Sequence, residues 1–259
     1  MIETWSRGIA DASMSENLLV ELSDLIRRHP WWIARADLAL TLLRRNSICP
    51  PAYVLDVGCG WGTNLVALEN AGYHVSGLDI SRRALERIDK PERHLIEADL
   101  SQDLPAVRPV VDAVLAFDVI EHIDDDRAAL ARIASLVRPR GIAIVSVPAL
   151  PKLFSHFDEV QQHRRRYLPD SLRSAFEGTE LIVQSIFWWG AWMVPVLRRM
   201  RLRESTTIQA TRSYSDYLRL PPWPGRYLMA LAFALEKPLA VRQKLRTGTS
   251  LIAVALRAG

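Results

Sequence analysis

Short runs of apolar residues recur along the chain and alternate with longer segments whose apolar positions repeat every three or four residues. The short runs predict strands and the longer segments predict helices. This alternation indicates βα units and therefore an α/β fold with a mainly parallel sheet. Seven strands are predicted, at about Tyr53–Val57, His74–Leu78, His94–Ala98, Ala113–Phe117, Ile142–Val147, Leu181–Phe187 and Ser250–Leu256.

Three helices are predicted between these strands. They cover Thr63–Asn70, Arg82–Ile88 and Asp126–Val137. Ser81 and Asp125 stand directly before the second and third of them, where a side-chain oxygen can accept hydrogen bonds from the first free amides of a helix. We therefore expect both residues to be N-caps.

Two segments lie outside this βα pattern. Helical patterning over Leu18–Ile26 and Trp31–Leu43 predicts an N-terminal cap, and an insertion rich in Trp, Arg and Pro separates the last two strands. That insertion is far longer than the usual connection of about 2–6 residues. We interpret the chain as a single domain, 1–259, with a helical cap at 1–50, a core at 51–187, the insertion at 188–247 and the last strand at 248–259.

Composition excludes disordered and collagen-like classes, because 49% of the 259 residues are hydrophobic and 24% are charged. The 29 arginines against 4 lysines would suit a nucleic-acid partner, yet the net charge is only +4. Residues 1–150 carry a charge of −5 and residues 151–259 carry +9. The basic residues cluster around apolar runs and do not alternate with aromatics, so we expect no nucleic-acid partner.

Cysteine usage and the lack of a leader-like start predict a cytoplasmic protein. Cys49 and Cys59 cannot form a disulfide framework in a chain of this size. The longest uncharged stretch, Leu181–Leu197, is shorter than the roughly 20 apolar residues that span a bilayer. Membrane association from the surface stays open.

A glycine-rich turn joins the first predicted strand to its helix. Gly58, Gly60 and Gly62 alternate with Cys59 and Trp61 directly after the strand. Glycines let the backbone approach a ligand closely, and the free amides at the start of a helix attract negative charge. The turn therefore predicts a cofactor site.

Three acids narrow the type of cofactor. Asp79 ends the second strand, where it can accept hydrogen bonds from ribose hydroxyls, and Asp99 ends the third strand beside Leu100, where it can meet an adenine amino group. Asp56, just before the glycines, would repel a pyrophosphate and attract the ammonium of an amino-acid ligand. A nicotinamide oxidoreductase shares the glycines and the ribose acid and stays open as an alternative.

These motifs resemble, in order, those of the class I S-adenosylmethionine-dependent methyltransferases. The matching segments are Leu55–Gly62, Gly77–Ser81, Glu97–Leu100, Ala116–His122 and Arg138–Gly141. Arg140 stands where the family usually has a second glycine, which bears on the geometry of that turn. The resemblance implies a Rossmann-like sheet of seven strands, mostly parallel with the last strand antiparallel, and S-adenosylmethionine as cofactor.

The resemblance also implies which residues hold that cofactor. Gly58 and Gly60 would pack on the methionine part, and Asp118 with Val119 would close the pocket. Trp31 and Arg35, in the N-terminal segment, would help to close the cofactor site. The full implied set is Trp31, Arg35, Asp56, Gly58, Cys59, Gly60, Asp79, Ile80, Asp99, Leu100, Asp118 and Val119.

Methyl transfer to a hydroxyl needs alignment and a general base. His122, after the fourth strand, is the best-placed candidate, because neutral imidazole is available near pH 7. The alternative is a histidine that caps a loop. Asp118, Glu121 and His122 also resemble the motif of ubiquinone-pathway O-methyltransferases, in which these side chains can hold a divalent cation; we assign no resident metal and leave that question open.

Residues after the fifth strand are candidates for the acceptor side. On a helix, His163 and Tyr167 would share one face. With Trp31 and Arg35, this segment resembles a bacterial subgroup of the same family that has Asp and then His-x-Arg-Arg-Tyr after the strand. The resemblance implies acceptor-side roles for Asp158, His163, Arg166 and Tyr167; a solvated basic turn at Arg164–Arg166 is the alternative.

The insertion begins with aromatic bulk beside dense positive charge. Three tryptophans, Trp188, Trp189 and Trp192, precede the basic run Arg198–Arg203. Tryptophan prefers the membrane interface and arginine attracts anionic headgroups. This pattern predicts a peripheral membrane contact through 186–203 or a lipid-linked acceptor, with a lid or a homodimer interface as alternatives.

Together these observations predict an S-adenosylmethionine-dependent methyltransferase that acts on a hydroxyl of a small-molecule or lipid-like acceptor. N-methylation of a small molecule, a nicotinamide-dependent oxidoreductase and a non-catalytic S-adenosylmethionine-binding protein are the alternatives.

Overall fold

The fold was analysed in a computed structural model that describes residues 2–6, 23–204, 220 and 222–259. The described strands are β1 (Ile2–Thr4), β2 (Tyr53–Val57), β3 (His74–Asp79), β4 (His94–Glu97), β5 (Val111–Phe117), β6 (Val137–Pro148), β7 (Leu181–Trp189) and β8 (Ser250–Arg257). The described helices are α1 (Ser23–Arg28), α2 (Pro30–Arg45), α3 (Thr63–Asn70), α4 (Arg82–Ile88), α5 (Asp126–Leu136), α6 (His156–Val160), α7 (Pro169–Ala175), α8 (Met193–Glu204) and α9 (Gly225–Val241).

These strands form one mixed sheet in the order β1-β4-β3-β2-β5-β6-β8-β7. Neighbouring strands are parallel except where β8 pairs with β6 and β7, so the predicted α/β fold with an antiparallel last strand is confirmed. The predicted count of seven strands is wrong. Ile2–Thr4 adds an eighth strand at the edge beside β4, and a segment of three residues is too short to show a periodic pattern of its own.

Local sequence signals set several element boundaries. The helices predicted at Thr63–Asn70 and Arg82–Ile88 are confirmed. Ser81 Oγ accepts a hydrogen bond from Ala84 N, and Asp125 Oδ1 accepts one from Ala128 N, so both predicted N-caps are present. The predicted helix at Leu18–Ile26 lies partly outside the described residues, and α1 covers Ser23–Arg28.

Arg140 confirms the expectation about the turn before the fifth predicted strand. Its φ is +61°, a left-handed conformation that glycine adopts at lower cost than arginine. The strand itself begins earlier than predicted, at Val137 and not at Ile142, because Val137 already pairs with Val111 across an irregularity in the register. Arg140 thus adopts a strained backbone conformation at a position where the family usually has glycine.

Helices cover both faces of the sheet. On one face, Leu130 and Ile133 of α5 pack with strand residues such as Val114 and Val145. On the other face, residues of α2 and α9 share a core with the opposite sides of the same strands; its members include Leu38, Leu42, Leu115, Ile144, Phe233 and Val241. The carboxyl ends of β2, β3, β5 and β6 are therefore framed by α2 and by the insertion.

Trp189, at the start of the insertion, lies in the protein interior. Trp189 is 1% exposed, and its ring centroid lies 4.5 Å from that of Trp31 and 5.0 Å from that of Phe233. The Glu236 carboxylate accepts hydrogen bonds from the backbone amides of Gly190 and Trp192. Trp188 and Trp192 are half-buried, and the membrane contact predicted through 186–203 stays a prediction; residues 205–219 and 221 of the insertion lie outside the described part.

Candidate active site

A cavity of about 420 Å³ opens at the carboxyl ends of the central strands. This is the edge where α/β sheets bind ligands, and the volume lies in the range of small-molecule sites. Its wall combines the glycine turn after β2, the end of β5, the start of α2 and the insertion helices. Residues that line it include Trp31, Trp32, Arg35, Gly58, Gly60, Asp118, His163, Arg166, Met193 and Met229.

The glycine turn brings its backbone against the end of β5, as the motif predicts. Gly58, Gly60 and Gly62 all have positive φ. A Cβ added to Gly58 would lie 2.5 Å from Val119 Cγ2, so only glycine fits there without a shift. Gly62 starts α3 without a side-chain cap, which leaves helix amides free for a ligand.

Asp79 lies where the ribose acid was expected, and it already has partners. Its Oδ2 accepts a hydrogen bond from Gly60 N at 2.8 Å, and its Oδ1 accepts one from Ser81 N at 2.9 Å. Burial raises the pKa of Asp79, and the hydrogen bonds from these amides oppose that rise. A carboxylate has further lone pairs, so this geometry leaves room for a ribose hydroxyl.

Asp56, by contrast, lacks one partner. Its Oδ1 accepts a hydrogen bond from Asn64 Nδ2 at 3.1 Å, while its Oδ2 is buried and has no partner within the part of the chain that the structure describes. Burial raises the pKa of Asp56 to about 7. A buried carboxylate oxygen without a hydrogen-bond partner costs folding free energy, and an ammonium group could donate a hydrogen bond to it.

The predicted adenine segment is in place at the end of β4 but outside the cavity wall. Asp99 Oδ1 accepts a hydrogen bond from Ser101 N, and Oδ2 accepts one from Gln102 Nε2. Leu100 is 4% exposed and belongs to the core. Of the predicted cofactor residues, Asp56, Asp79, Ile80, Asp99, Leu100 and Val119 do not line the cavity, whereas Trp31, Arg35, Gly58, Cys59, Gly60 and Asp118 do.

Arg35 joins the N-terminal cap to the end of β5. Its Nη1 lies 2.5 Å from Asp118 Oδ2, and its guanidinium lies 5.7 Å from the Trp31 ring centroid and 5.2 Å from that of Phe117. Asp118 has a φ of +57°, an uncommon conformation that aims its side chain at this position. Arg35 is 6% exposed, and its Nε and Nη2 have no hydrogen-bond partner among the described residues, so both can donate to an anionic group.

On the acceptor side, His163, Asp158 and Arg166 form a connected group. His163 Nδ1 lies 2.9 Å from Asp158 Oδ1, which also accepts a hydrogen bond from Arg166 Nε at 2.7 Å. Arg166 Nη1 donates to Ala149 O. Burial would raise the pKa of Asp158, but the hydrogen bond from His163 and the charge of Arg166 outweigh it and lower that pKa.

Asp158 is also fixed from its other oxygen. Its Oδ2 accepts a hydrogen bond from Ser155 N at 2.9 Å, which completes the capping box of α6. The carboxylate is 0% exposed and does not line the cavity. Asp158 is therefore connected to the cavity through His163 and Arg166, which both line it.

The predicted helical face shared by His163 and Tyr167 is wrong. Helix α6 ends at Val160, and the chain from 163 to 166 is not helical. Tyr167 pairs with Ala149, is 2% exposed and donates a hydrogen bond from its hydroxyl to Asp126 Oδ2. Burial raises the pKa of Tyr167, and its side chain stabilises the core and does not face the acceptor.

Glu121 and His122 lie beside His163. The His122 and His163 ring centroids are 4.8 Å apart, and burial, followed by the neighbouring His163, lowers the pKa of His122 to about 4. Glu121 is 0% exposed, and neither of its carboxylate oxygens has a hydrogen-bond partner in residues 2–6, 23–204, 220 and 222–259. Burial, together with the nearby Asp118, raises its pKa well above the usual value. Ligand atoms of all three residues lie within 4.8 Å of one another.

Sequence reasoning missed the aromatic and apolar part of the wall. Trp61 stands inside the glycine motif and Phe157 directly precedes Asp158, so both positions carried a signal. Others are placed by packing between distant segments and have no local signal: Trp32, Phe117, Met193, Val196, Leu197, Met200 and Met229.

This fold and site define an α/β protein with a glycine turn in the wall of a largely apolar cavity at the carboxyl ends of its parallel strands. The profile of a family described as "Methyltransferase domain" matches residues 31–186. The chain therefore belongs to the methyltransferase-domain family. The resemblance to class I S-adenosylmethionine-dependent methyltransferases is confirmed.

Curated relatives are similar over part of their length. A ubiquinone biosynthesis O-methyltransferase of Thiobacillus denitrificans is 36% identical over 131 residues, which cover 44% of this chain and 55% of that protein. A protein with the same name from Aromatoleum aromaticum is 31% identical over 130 residues and has the same coverage. The chain thus spans about half the length of the curated relatives that it matches.

Solved structures show the same fold at low identity. A chain from the complex of the Haloferax volcanii Trm112 methyltransferase activator with a methyltransferase has a TM-score of 0.60 and 19% identity, with 94% of this chain and 95% of that chain covered. A magnesium protoporphyrin IX methyltransferase from Synechocystis, solved with bound S-adenosylhomocysteine, has a TM-score of 0.52 and 16% identity, with 87% and 83% covered.

Proposed function

We propose that the protein transfers the methyl group of S-adenosylmethionine to a hydroxyl oxygen of a small or lipid-like acceptor. The hydrogen bond from His163 to Asp158 carries this proposal, because it prepares a base in the wall that also contains the glycine turn. The printed names of the curated relatives refer to O-methylation, which supports the same reaction.

The chain's own residues suit this methyl donor. The bare Oδ2 of Asp56 fits the ammonium of the methionine part, and the two unpartnered N–H positions of Arg35 fit its carboxylate. Asp79 would accept from the ribose hydroxyls, and Asp99 would face the adenine. S-adenosylmethionine supplies an electrophilic methyl group when bound.

His163 would take the proton of the acceptor. With Nδ1–H held by Asp158, the lone pair of Nε2 is free for the hydroxyl proton. With the proton on His163, the hydroxyl oxygen would bond to the methyl carbon that S-adenosylmethionine supplies, and the electron pair of the former carbon–sulfur bond would remain on sulfur. Arg166 keeps the Asp158 carboxylate in place while His163 becomes charged.

His122, the base favoured by the sequence, suits this role less well. Its pKa of about 4 means that it holds a proton poorly near neutral pH, and its Nδ1 is buried without a partner. We therefore assign the base to His163, and His122 stays a prediction.

The acceptor would be apolar next to its hydroxyl. Trp31, Trp32, Phe157 and Trp192 line the cavity, and aromatic side chains pack well on a ring or an alkyl chain. Met193 and Met229 add adaptable apolar surface. A hydroxyl on a ring or on a lipid-like chain suits this lining.

An acceptor panel with matched variants tests this proposal. Purified protein is given S-adenosylmethionine with a labelled methyl group and catechol, an alkylated catechol or an aniline. His163→Ala should lower kcat about a hundredfold or more, whereas His156→Ala, a histidine of the same segment outside the cavity wall, should not. Wild-type kcat in His163→Ala would contradict the base assignment, and methylation of the aniline alone would favour N-methylation.

The remaining alternatives differ in the ligand that stabilises the protein. A thermal-shift panel compares S-adenosylmethionine, S-adenosylhomocysteine, NAD and NADP. Stabilisation by NAD and not by S-adenosylhomocysteine would identify an oxidoreductase. Binding of S-adenosylmethionine without turnover of any acceptor would favour a non-catalytic binding protein.

A divalent cation is the second candidate for activating the hydroxyl. Glu121, His122 and His163 would hold it, and the bare, buried oxygens of Glu121 fit a cation. One carboxylate and two imidazoles suit a transition metal or zinc, which would act as a Lewis acid. Activity unchanged by a chelator, with no heat of Zn²⁺ or Mn²⁺ binding, would contradict this variant of the mechanism.

A further inference from the structure

Helix α9 is apolar on two faces. Phe233 and Ala240 are buried on the face toward the sheet, and Glu236 on the same face binds the chain after β7. A second row, spaced by three, four and four residues, points outward: Leu228, Leu231, Leu235 and Leu239, which are 61%, 54%, 65% and 44% exposed. A helix that is apolar on two faces indicates that its outward face also contacts an apolar partner.

Exposed aromatic residues extend this row at the start of the helix. Trp223 is 75% exposed and Tyr227 is 56% exposed. We call the set of Trp223, Tyr227, Leu228, Leu231, Leu235 and Leu239 the leucine face. Large side chains exposed in one contiguous row mark an interaction surface, and indole and phenol rings favour the boundary between water and lipid.

The charges of the segment that carries the leucine face indicate which kind of partner binds there. Residues 190–249 carry eleven Lys and Arg against three Asp and Glu. Among the side chains of this segment that the structure describes, Glu236 is the one acid, and it is buried. Exposed cations of the same segment include Arg198, Arg199, Arg226, Arg242, Lys244 and Arg246, while Lys237 of α9 pairs with Asp37 of α2.

This distribution favours an anionic bilayer over a second copy of the chain. Two copies packed through the leucine face would bring two cationic surrounds together, which costs free energy. A bilayer with anionic headgroups would attract the same cations while the leucines enter its apolar boundary. Within the described residues no helix is long and apolar enough to cross a membrane, so the contact would lie at the surface.

The same helices also form the apolar wall of the cavity. Val196 and Met200 of α8 are 50% and 38% exposed and line the cavity, and Met229 of α9 lines it from the residue after Leu228. The apolar surface is thus shared between the cavity and the outside.

We infer that the leucine face docks the protein on an anionic phospholipid bilayer beside the opening of its cavity. A lipid-like acceptor would then pass from the bilayer to the cavity along α8 and α9. This last step rests on the proposed function, whereas the docking itself does not.

Vesicle co-sedimentation tests the docking. The full chain is mixed with vesicles of phosphatidylcholine alone or with added phosphatidylglycerol, at low and high salt. Wild type should bind the anionic vesicles at low salt, and Leu231→Glu/Leu235→Glu should reduce that binding by roughly tenfold or more, since each change removes one apolar anchor. Val107→Glu, at a residue 94% exposed between β4 and β5, is the matched control and should bind like wild type.

Three results would overturn the inference. They are wild type that stays unbound at low salt, a leucine-face variant that binds like wild type, and a wild-type dimer by light scattering that the variant converts to monomer without any vesicle binding. Methylation of a water-soluble acceptor should be equal in wild type and variant, because Leu231 and Leu235 do not line the cavity. Loss of docking and failure of the proposed reaction are therefore separate outcomes.

Discussion

The two walls of the cavity are held by different forces. On the glycine-turn side, backbone amides of Gly60 and Ser81 donate to the Asp79 carboxylate at 2.8 and 2.9 Å. On the insertion side, apolar side chains such as Met193 and Met229 pack from helices that are distant in sequence. The first wall is a short-range hydrogen-bonded unit that fits one kind of ligand, and the second is an apolar surface that suits many.

The largest expected effect tests whether the insertion side is true core. Phe233→Ala should lower the free energy of unfolding by about 3–5 kcal/mol, because a buried ring is removed from contact with Trp31 and Trp189. Leu235→Ala, two residues on and 65% exposed, should change it by less than about 0.5 kcal/mol. Equal values in urea denaturation would show that α9 is not packed as described.

A pair of glycine variants tests the short-range wall. Gly58→Ala should cost about 2–4 kcal/mol, because a positive φ is combined with a Cβ 2.5 Å from Val119. Gly178→Ala has a similar φ of +77° but meets no atom within 4 Å, so it should cost only about 1–2 kcal/mol. If chemical denaturation gives the same loss for both, the close approach of Val119 does not matter.

The cofactor contact itself should give a smaller effect. Asp79→Ala should weaken S-adenosylhomocysteine about tenfold to a hundredfold by calorimetry, because the ribose loses an acceptor and Gly60 loses its carboxylate partner. Asp112→Ala, at the start of β5 and bonded to Arg138, is the control. Unchanged affinity in Asp79→Ala would place the ribose elsewhere.

The pH dependence of cofactor binding should give the smallest effect, and the one most specific to Asp56. The pKa of Asp56 is about 7 in the folded protein, so this carboxyl is largely neutral at pH 6 and an ammonium ligand must displace its proton. Affinity for S-adenosylhomocysteine should rise from pH 6 to pH 7, with protons released to the buffer.

Asp56→Asn should remove this proton release when heats are compared in buffers of different ionisation enthalpy. Because the pKa of Asp56 is raised in the folded state, the free energy of unfolding of the ligand-free protein should fall as pH rises from about 4 through 7. Over this range the unfolded chain has already lost the proton that the folded chain still holds. Proton release that persists in Asp56→Asn would assign the linkage to another group.

The sequence predicted what local rules determine. Thr63–Asn70 and Arg82–Ile88 follow from apolar spacing, Ser81 caps the second of these helices, and Asp79 ends β3 as the βα order predicts. It missed β1, because three residues at a sheet edge are stable only against β4. The sequence pattern also suggested a helix around His163. Sequence spacing alone does not show that α6 ends at Val160 or that the His163 side chain bonds to Asp158.

Glu236 ties the start of the insertion to helix α9. One buried carboxylate on α9 binds the amides of Gly190 and Trp192, 46 and 44 residues earlier, so both ends of that segment are tied at a single point. A segment whose ends are already joined adds little loop-closure entropy when its length changes. The glycine turn after β2 and the end of β3 lie outside this tied segment, so a change in its length need not alter them.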